Sequence, residues 1–152
     1  ENKILQKNPI KQNDLFVPPL DINDSNIPNG NSVFLLNCKK LEAITNDTKW
    51  QGMAKELIQS FHSFLNLKST QMVSYIKNLD MCEELTTFTF FGDIKKIKEL
   101  QQFVKKNYLK SSTLIYKEDP KENYLVVCKN KTCSNKIKSI EELKSVVKNY
   151  AI

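Results

Sequence analysis

Near residue 85 the apolar residues change their period, and that switch limits the folds open to this chain more than any other feature. Upstream, Trp50, Met53, Ala54, Leu57, Ile58, Phe61, Phe64 and Leu65 recur at three- and four-residue spacing. This is the wide stripe of a helix that must be buried against other helices. Downstream, Thr86, Thr87, Phe88, Thr89, Phe90 and Phe91 are β-branched or aromatic without exception, which suits a pleated strand. Gly92 and Asp93 stop it. One chain therefore holds a helical part and a sheet part, and the expected class is mixed α+β.

Local signals divide these parts further. Val33, Leu36, Leu41 and Ile44 fit one face of a helix ending near Asn46 and Asp47. Thr48, with Gln51 three residues on, reads as a capping box for the helix over residues 50–65. A shorter helix follows over about residues 70–80, with Met72, Val73, Ile76 and Leu79. Past Gly92, Asp93 can cap a helix carrying Ile94, Ile97, Leu100 and Val104. Residues 112–116 and 124–128 read as strands around a turn over 117–123. Ser139 and Glu142 form a second capping box ahead of Leu143, Val146, Val147 and Tyr150. A right-handed crossover makes the first two strands parallel, with the third expected antiparallel to the second.

Residues 1–31 hold four of the five prolines, Pro9, Pro18, Pro19 and Pro28, and their apolar residues are too irregular to form a core. They read as an extended arm that wraps along another surface, anchored by Phe16 and its neighbours. The expected organisation is an arm over 1–31, a helical segment over 32–84 and a β-α-β-β-α module over 85–152.

Charge separates the halves as well. All 23 basic residues are lysine. Residues 1–92 carry 9 lysines against 10 acidic residues, whereas residues 93–152 carry 14 against 7. The second half can therefore attract an acidic partner through a salt-sensitive field. Sequence-specific nucleic-acid binding is not expected without arginine's planar fork or an aromatic-interleaved basic motif. No stretch approaches the roughly 20 apolar residues that span a bilayer. The first residue is Glu1, which is compatible with loss of a mitochondrial presequence; the cytoplasm is the alternative location.

Few residues invite chemistry. Cys128 and Cys133 are separated by four residues, not by the two of a thioredoxin-type pair or a zinc knuckle. Zinc calls for four ligands as a rule, and the other candidates, Cys38, Cys82 and His62, lie on the helical segment. The two cysteines read as a small buried pair or as local packing. His62 sits at helical spacing from Ile58 and Leu65, so it reads as a satisfied or half-exposed core histidine. No catalytic residue, metal or cofactor is assigned.

The polar segment from Asp24 to Ser32, with Pro28, Gly30 and Asn31, is explained locally by a proline, a glycine and a serine cap at the start of a helix. Asp24 through Val33 nevertheless resembles the D-G-x-x-P-S-G-N-S-V loop near the C-terminus of the spermatogenesis-associated protein 20 family. Three further matches follow in order: Asn37 in the next helix, Phe90-Phe91-Gly92-Asp93 against a strand ending in V-G-D, and Cys128 to Cys133 with Ile137 against V-C-x-N-x-T-C-x-x-P-[IV]. Ser25 stands where the family has glycine, Asn29 where it has serine and Lys136 where it has proline.

The family joins a thioredoxin domain to an α/α six-hairpin barrel related to sugar epimerases. The resemblance implies that the helical segment corresponds to about three helices of an incomplete α/α barrel, and that Cys128 and Cys133 are an inherited pair. In the related barrels this kind of loop borders a central cavity, so Asp24, Asn31 and Ser32 are the positions where site chemistry would stand. Three helices leave no cavity to line.

The expected function is a non-enzymatic accessory or structural subunit of a larger assembly, with Phe16, Trp50 and Phe61 contacting partner subunits. The alternative is the C-terminal part of an intact thioredoxin-domain, epimerase-like barrel enzyme.

Overall fold

The computed structural model describes residues 4–5, 20, 22–83, 85–108, 112–129 and 132–149. The chain divides into two compact units, Glu1–Cys82 and Glu83–Ile152, and the five helices and four strands among the described residues make it an α+β protein.

The first unit is built on α1 (Gly30–Thr45), α2 (Thr48–Lys68) and α3 (Val73–Glu83), with a 3-10 turn over Ser69–Gln71. Asn46 ends α1 in the left-handed conformation, φ 56°, and its N–H reaches Glu42 O, the usual way an asparagine closes a helix. The cap of α2 is Asp47, whose carboxylate accepts from Lys49 N. The expected box at Thr48 is displaced by one residue, because a carboxylate at the N-cap meets the helix dipole better than a hydroxyl one position inside.

Ala54, Leu57 and Phe61 of α2 are buried with Leu35 and Cys38 of α1 and with Met72 and Tyr75. The Phe61 and Tyr75 rings stack at 4.5 Å. Phe61 is fully buried in its own unit, so it cannot serve as the partner contact expected of it. Trp50 is half-buried against the same core.

Helix α1 turns a different face inward from the one its apolar residues suggested. Asn31, Ser32, Leu35 and Cys38 are buried, while Val33 and Ile44 are exposed. The inward stripe begins with two polar residues, and their hydrogen bonds, described below, make that orientation affordable. The arm is corrected in part. Phe16 lies outside the described residues, but Ile4 is buried in this core, and Leu20 and Ile22 pack against it. These anchors cover the chain's own helices.

The second unit is a four-stranded sheet in the order β2-β1-β3-β4, with β1 at Thr86–Phe91, β2 at Ser112–Lys117, β3 at Tyr124–Lys129 and β4 at Thr132–Cys133. Helices α4 (Lys98–Tyr108) and α5 (Ile140–Asn149) complete it. Phe88, Phe90, Leu125 and Val127 meet Leu100, Val104, Leu143 and Val147 in one core. Strands β1 and β2 are parallel, as a right-handed crossover requires.

The third strand pairs antiparallel with β1 rather than with β2. Its approach passes Gly92, where φ is 101° and a Cβ would lie 2.5 Å from Asn123 Oδ1 and from Glu122 O. Only glycine lets the incoming chain cross so near the end of β1. Asp93 N donates to Asn123 Oδ1 at 2.8 Å and fixes the crossing.

Candidate functional site

The polar segment expected to matter folds into one hydrogen-bonded cluster. Asn29 is the N-cap of α1, its Oδ1 accepting from Ser32 N at 2.8 Å. The buried Asn29 is held in turn by Asp24, whose Oδ1 accepts from Asn29 N at 3.0 Å and from Asn29 Nδ2 at 3.0 Å. The other carboxylate oxygen of Asp24 accepts from Ser74 N at 2.7 Å, in the first turn of α3. The Ser74 hydroxyl also donates to Asp24 Oδ1 and lies 2.8 Å from Ser32 Oγ. One carboxylate thus serves two helix N-termini, each of which carries partial positive charge and orphan amides.

Surrounding bonds fasten the cluster to the rest of the unit. Asn78 Nδ2 donates to Ser32 O at 3.0 Å, and Asp24 N donates to Gln71 O at 2.7 Å. The buried Asn31 exchanges two bonds with the backbone of Leu5, accepting from its N–H at 2.7 Å and donating to its carbonyl at 3.2 Å. Gly30 opens α1, and the exposed Pro28 precedes its cap. Burial alone would raise the Asp24 carboxyl, but the hydrogen bonds from Ser74 and Asn29 outweigh it and hold the group below its ordinary value.

The structure brings Asp24 and Ser32 together through Ser74 and places Asn31 on a different task. An ionised carboxylate whose lone pairs are taken by four donors is a poor general base. His62, expected near the core, is exposed on α2, and nothing described pairs it with a nucleophile. A groove of about 650 Å³ on the helical unit is lined by Lys39, Lys55, Ile58 and Gln59 among others, and no residue of the cluster borders it. Among the described residues no group of three or more His, Cys, Asp or Glu is placed to hold a metal ion.

Sequence reasoning missed Ser74 and Asn78. Nothing local marks either, since each meets the cluster through contacts more than 40 residues away in sequence. Asn29 carried a signal, standing directly before a helix, where its side chain is a favoured cap.

The cysteine pair differs from the expected buried couple. Cys128 and Cys133 face each other across β3 and β4, with Cα atoms 4.1 Å apart, and form a disulfide. Cys128 is half-buried and Cys133 exposed. Lys136, where the resembled signature has proline, bonds Glu122 at 2.6 Å and lies 4.5 Å over the Tyr124 ring.

No family model, curated protein or solved structure matches the chain. Among the described residues no helix is long and apolar enough to cross a membrane.

Proposed function

We propose that this chain is a non-enzymatic accessory or structural subunit of a larger protein assembly, related to the C-terminal part of the thioredoxin and α/α-barrel proteins it resembles. The observation that carries the reading is the apolar surface around the polar cluster. Ile27, between Asp24 and Asn29, is 71% exposed, and Val73, beside Ser74, is 61% exposed. Val33, next to Ser32, and Ile76, in the following turn of α3, are exposed too. Each of the four stands within two residues of a member of the hydrogen-bonded cluster, and a partner would remove them from water.

Helix α1 supports the same reading, because it buries Leu35 and Cys38 on one side and leaves Val33 and Ile44 on another. A helix apolar on two sides suits a layer between other helices. Asn29 and Asp24 are occupied at helix N-termini and Asn31 holds the backbone of Leu5, which fits a loop that organises helix ends.

Replacing Ile27 and Val73 together by serine in the native organism, followed by native mass and sedimentation of the extracted protein, tests the reading. The wild-type chain should be recovered in a particle heavier than itself, and the double variant should be released from it with unchanged circular dichroism. A wild-type chain recovered as a stable monomer overturns the proposal. Recovery of these residues only within a much longer polypeptide would favour the intact-enzyme alternative.

A further inference from the structure

We infer that the Cys128–Cys133 disulfide is a thiol–disulfide exchange site for a protein dithiol, opened and closed without unfolding the unit that carries it. Three observations converge on it. The bond lies on the outermost strand of the sheet, since β4 pairs only with β3 in the order β2-β1-β3-β4, and both residues of β4 are exposed. An exposed disulfide is open to in-line attack by an incoming thiolate, whereas a buried one is not.

The hairpin is also held without the bond. Ser134 N donates to Val127 O at 2.8 Å, and Val127 N donates to Ser134 Oγ at 3.1 Å. Leu125 and Ile137 exchange both backbone bonds at 2.9 Å, with Ile137 buried in the core. Breaking the bond therefore leaves β3 in its ladder with β1 and leaves the following chain tied down. The bond spans only five positions, and cross-linking so short a loop removes little freedom from the unfolded chain. It is placed as a staple that the fold does not need.

The two cysteines are unequally exposed, and this sets the direction of exchange. Cys133 is exposed and Cys128 half-buried, so the attacking thiolate reaches Cys133 Sγ. A new bond forms between the partner's sulfur and Cys133 Sγ, while the Cys128–Cys133 bond breaks and its electron pair leaves on Cys128 Sγ, which takes up a proton. The partner's second thiol, after losing its proton, attacks the partner's first sulfur. Cys133 leaves as a thiolate, and the partner departs as a disulfide. Two electrons pass to the pair.

The test uses the full chain. It should be incubated with a small dithiol protein of the thioredoxin type, or with reduced glutathione, then trapped by alkylation and mapped by peptide mass, with circular dichroism followed in parallel. Cys128 and Cys133 should become alkylated together while the spectrum stays native, and oxidised glutathione should restore the bond. In a Cys82→Ser background, Cys128→Ser leaves Cys133, and Cys133→Ser leaves Cys128, beside only the buried Cys38. The first variant should react with Ellman's reagent roughly tenfold faster than the second, because thiol reactivity follows access.

A bond that resists reduction until the protein unfolds, two free thiols in the isolated native chain, or equal rates in the two variants would each overturn the proposal. Should either variant fail to fold, the trapping experiment on the unaltered chain decides alone.

Discussion

Replacing Asp24 by alanine tests whether one carboxylate organises the helical unit. It accepts from Asn29 N, Asn29 Nδ2, Ser74 N and Ser74 Oγ. Losing the acceptor for a first-turn amide of α3 costs about 1 kcal/mol, the usual cost of a lost cap. Leaving the amide of Asn29 unpaired, on a residue only 3% exposed, adds roughly 1–3 kcal/mol. Because the bonds belong to one network the losses do not simply add, and the expected total is about 3 kcal/mol.

Asp24→Asn keeps one carbonyl acceptor and should lose about half as much. Trp50 is the only tryptophan and packs against this core, so its fluorescence in a urea titration reports the unit directly. The carboxyl is held below its ordinary value in the folded chain. Its contribution is therefore complete above the unfolded-state value, about 3.9, and is lost as pH falls through the lower folded value. The stability gap between wild type and Asp24→Asn should be flat from neutral pH down to about 5 and should close below about 4. A loss under about 1 kcal/mol for Asp24→Ala, or a gap that widens on acidification, refutes the reasoning.

Other substitutions probe the rest of the molecule. Leu57→Ala, at a fully buried position of α2, should cost roughly 2–5 kcal/mol in the same fluorescence assay; a loss under about 1 kcal/mol would deny the stripe its place in the core. Tyr75 keeps its stacked ring, but its buried hydroxyl has no hydrogen-bond partner among the described residues, and burial followed by the nearby Cys82 pushes its pKa up to about 12. Tyr75→Phe should therefore be neutral or stabilise by about 1 kcal/mol, and a comparable loss would reveal a partner for the hydroxyl. Gly92→Ala forces a side chain into left-handed backbone and against Asn123. It should cost about 2 kcal/mol or more, seen as faster hydrogen exchange of the β1 and β3 amides.

Much of the fold is legible because each long element obeys one period. The α2 stripe and the strand at Thr86–Phe91 stand where their residues place them. What escaped was decided at long range. The pairing of β3 with β1 depends on how Glu122 and Asn123 pass Gly92, and no local pattern encodes that crossing. The inward face of α1 differs from the one that apolar count favours, which runs through Val33 and Ile44. The buried alternative begins with Asn31 and Ser32, whose burial is tolerable only once Leu5, Asn29 and Ser74 satisfy them. The strand at Thr132–Cys133 is too short to show alternation.

The candidate sites were half legible for a related reason. Aspartate, asparagine and serine ahead of a helix serve equally as caps and as reactive groups, and only the bond-by-bond disposition of Asp24 separates the two roles. Ser74, which completes that disposition, sits 50 residues away. The cysteines were a different failure. Measured against redox and zinc motifs their spacing is wrong, yet Lys129 pairs with Thr132 and Cys128 with Cys133 across β3 and β4. In such a hairpin, positions i and i+5 face each other across the ladder. The spacing that excludes one kind of cysteine chemistry is the spacing at which a disulfide can bridge β3 and β4 in this register.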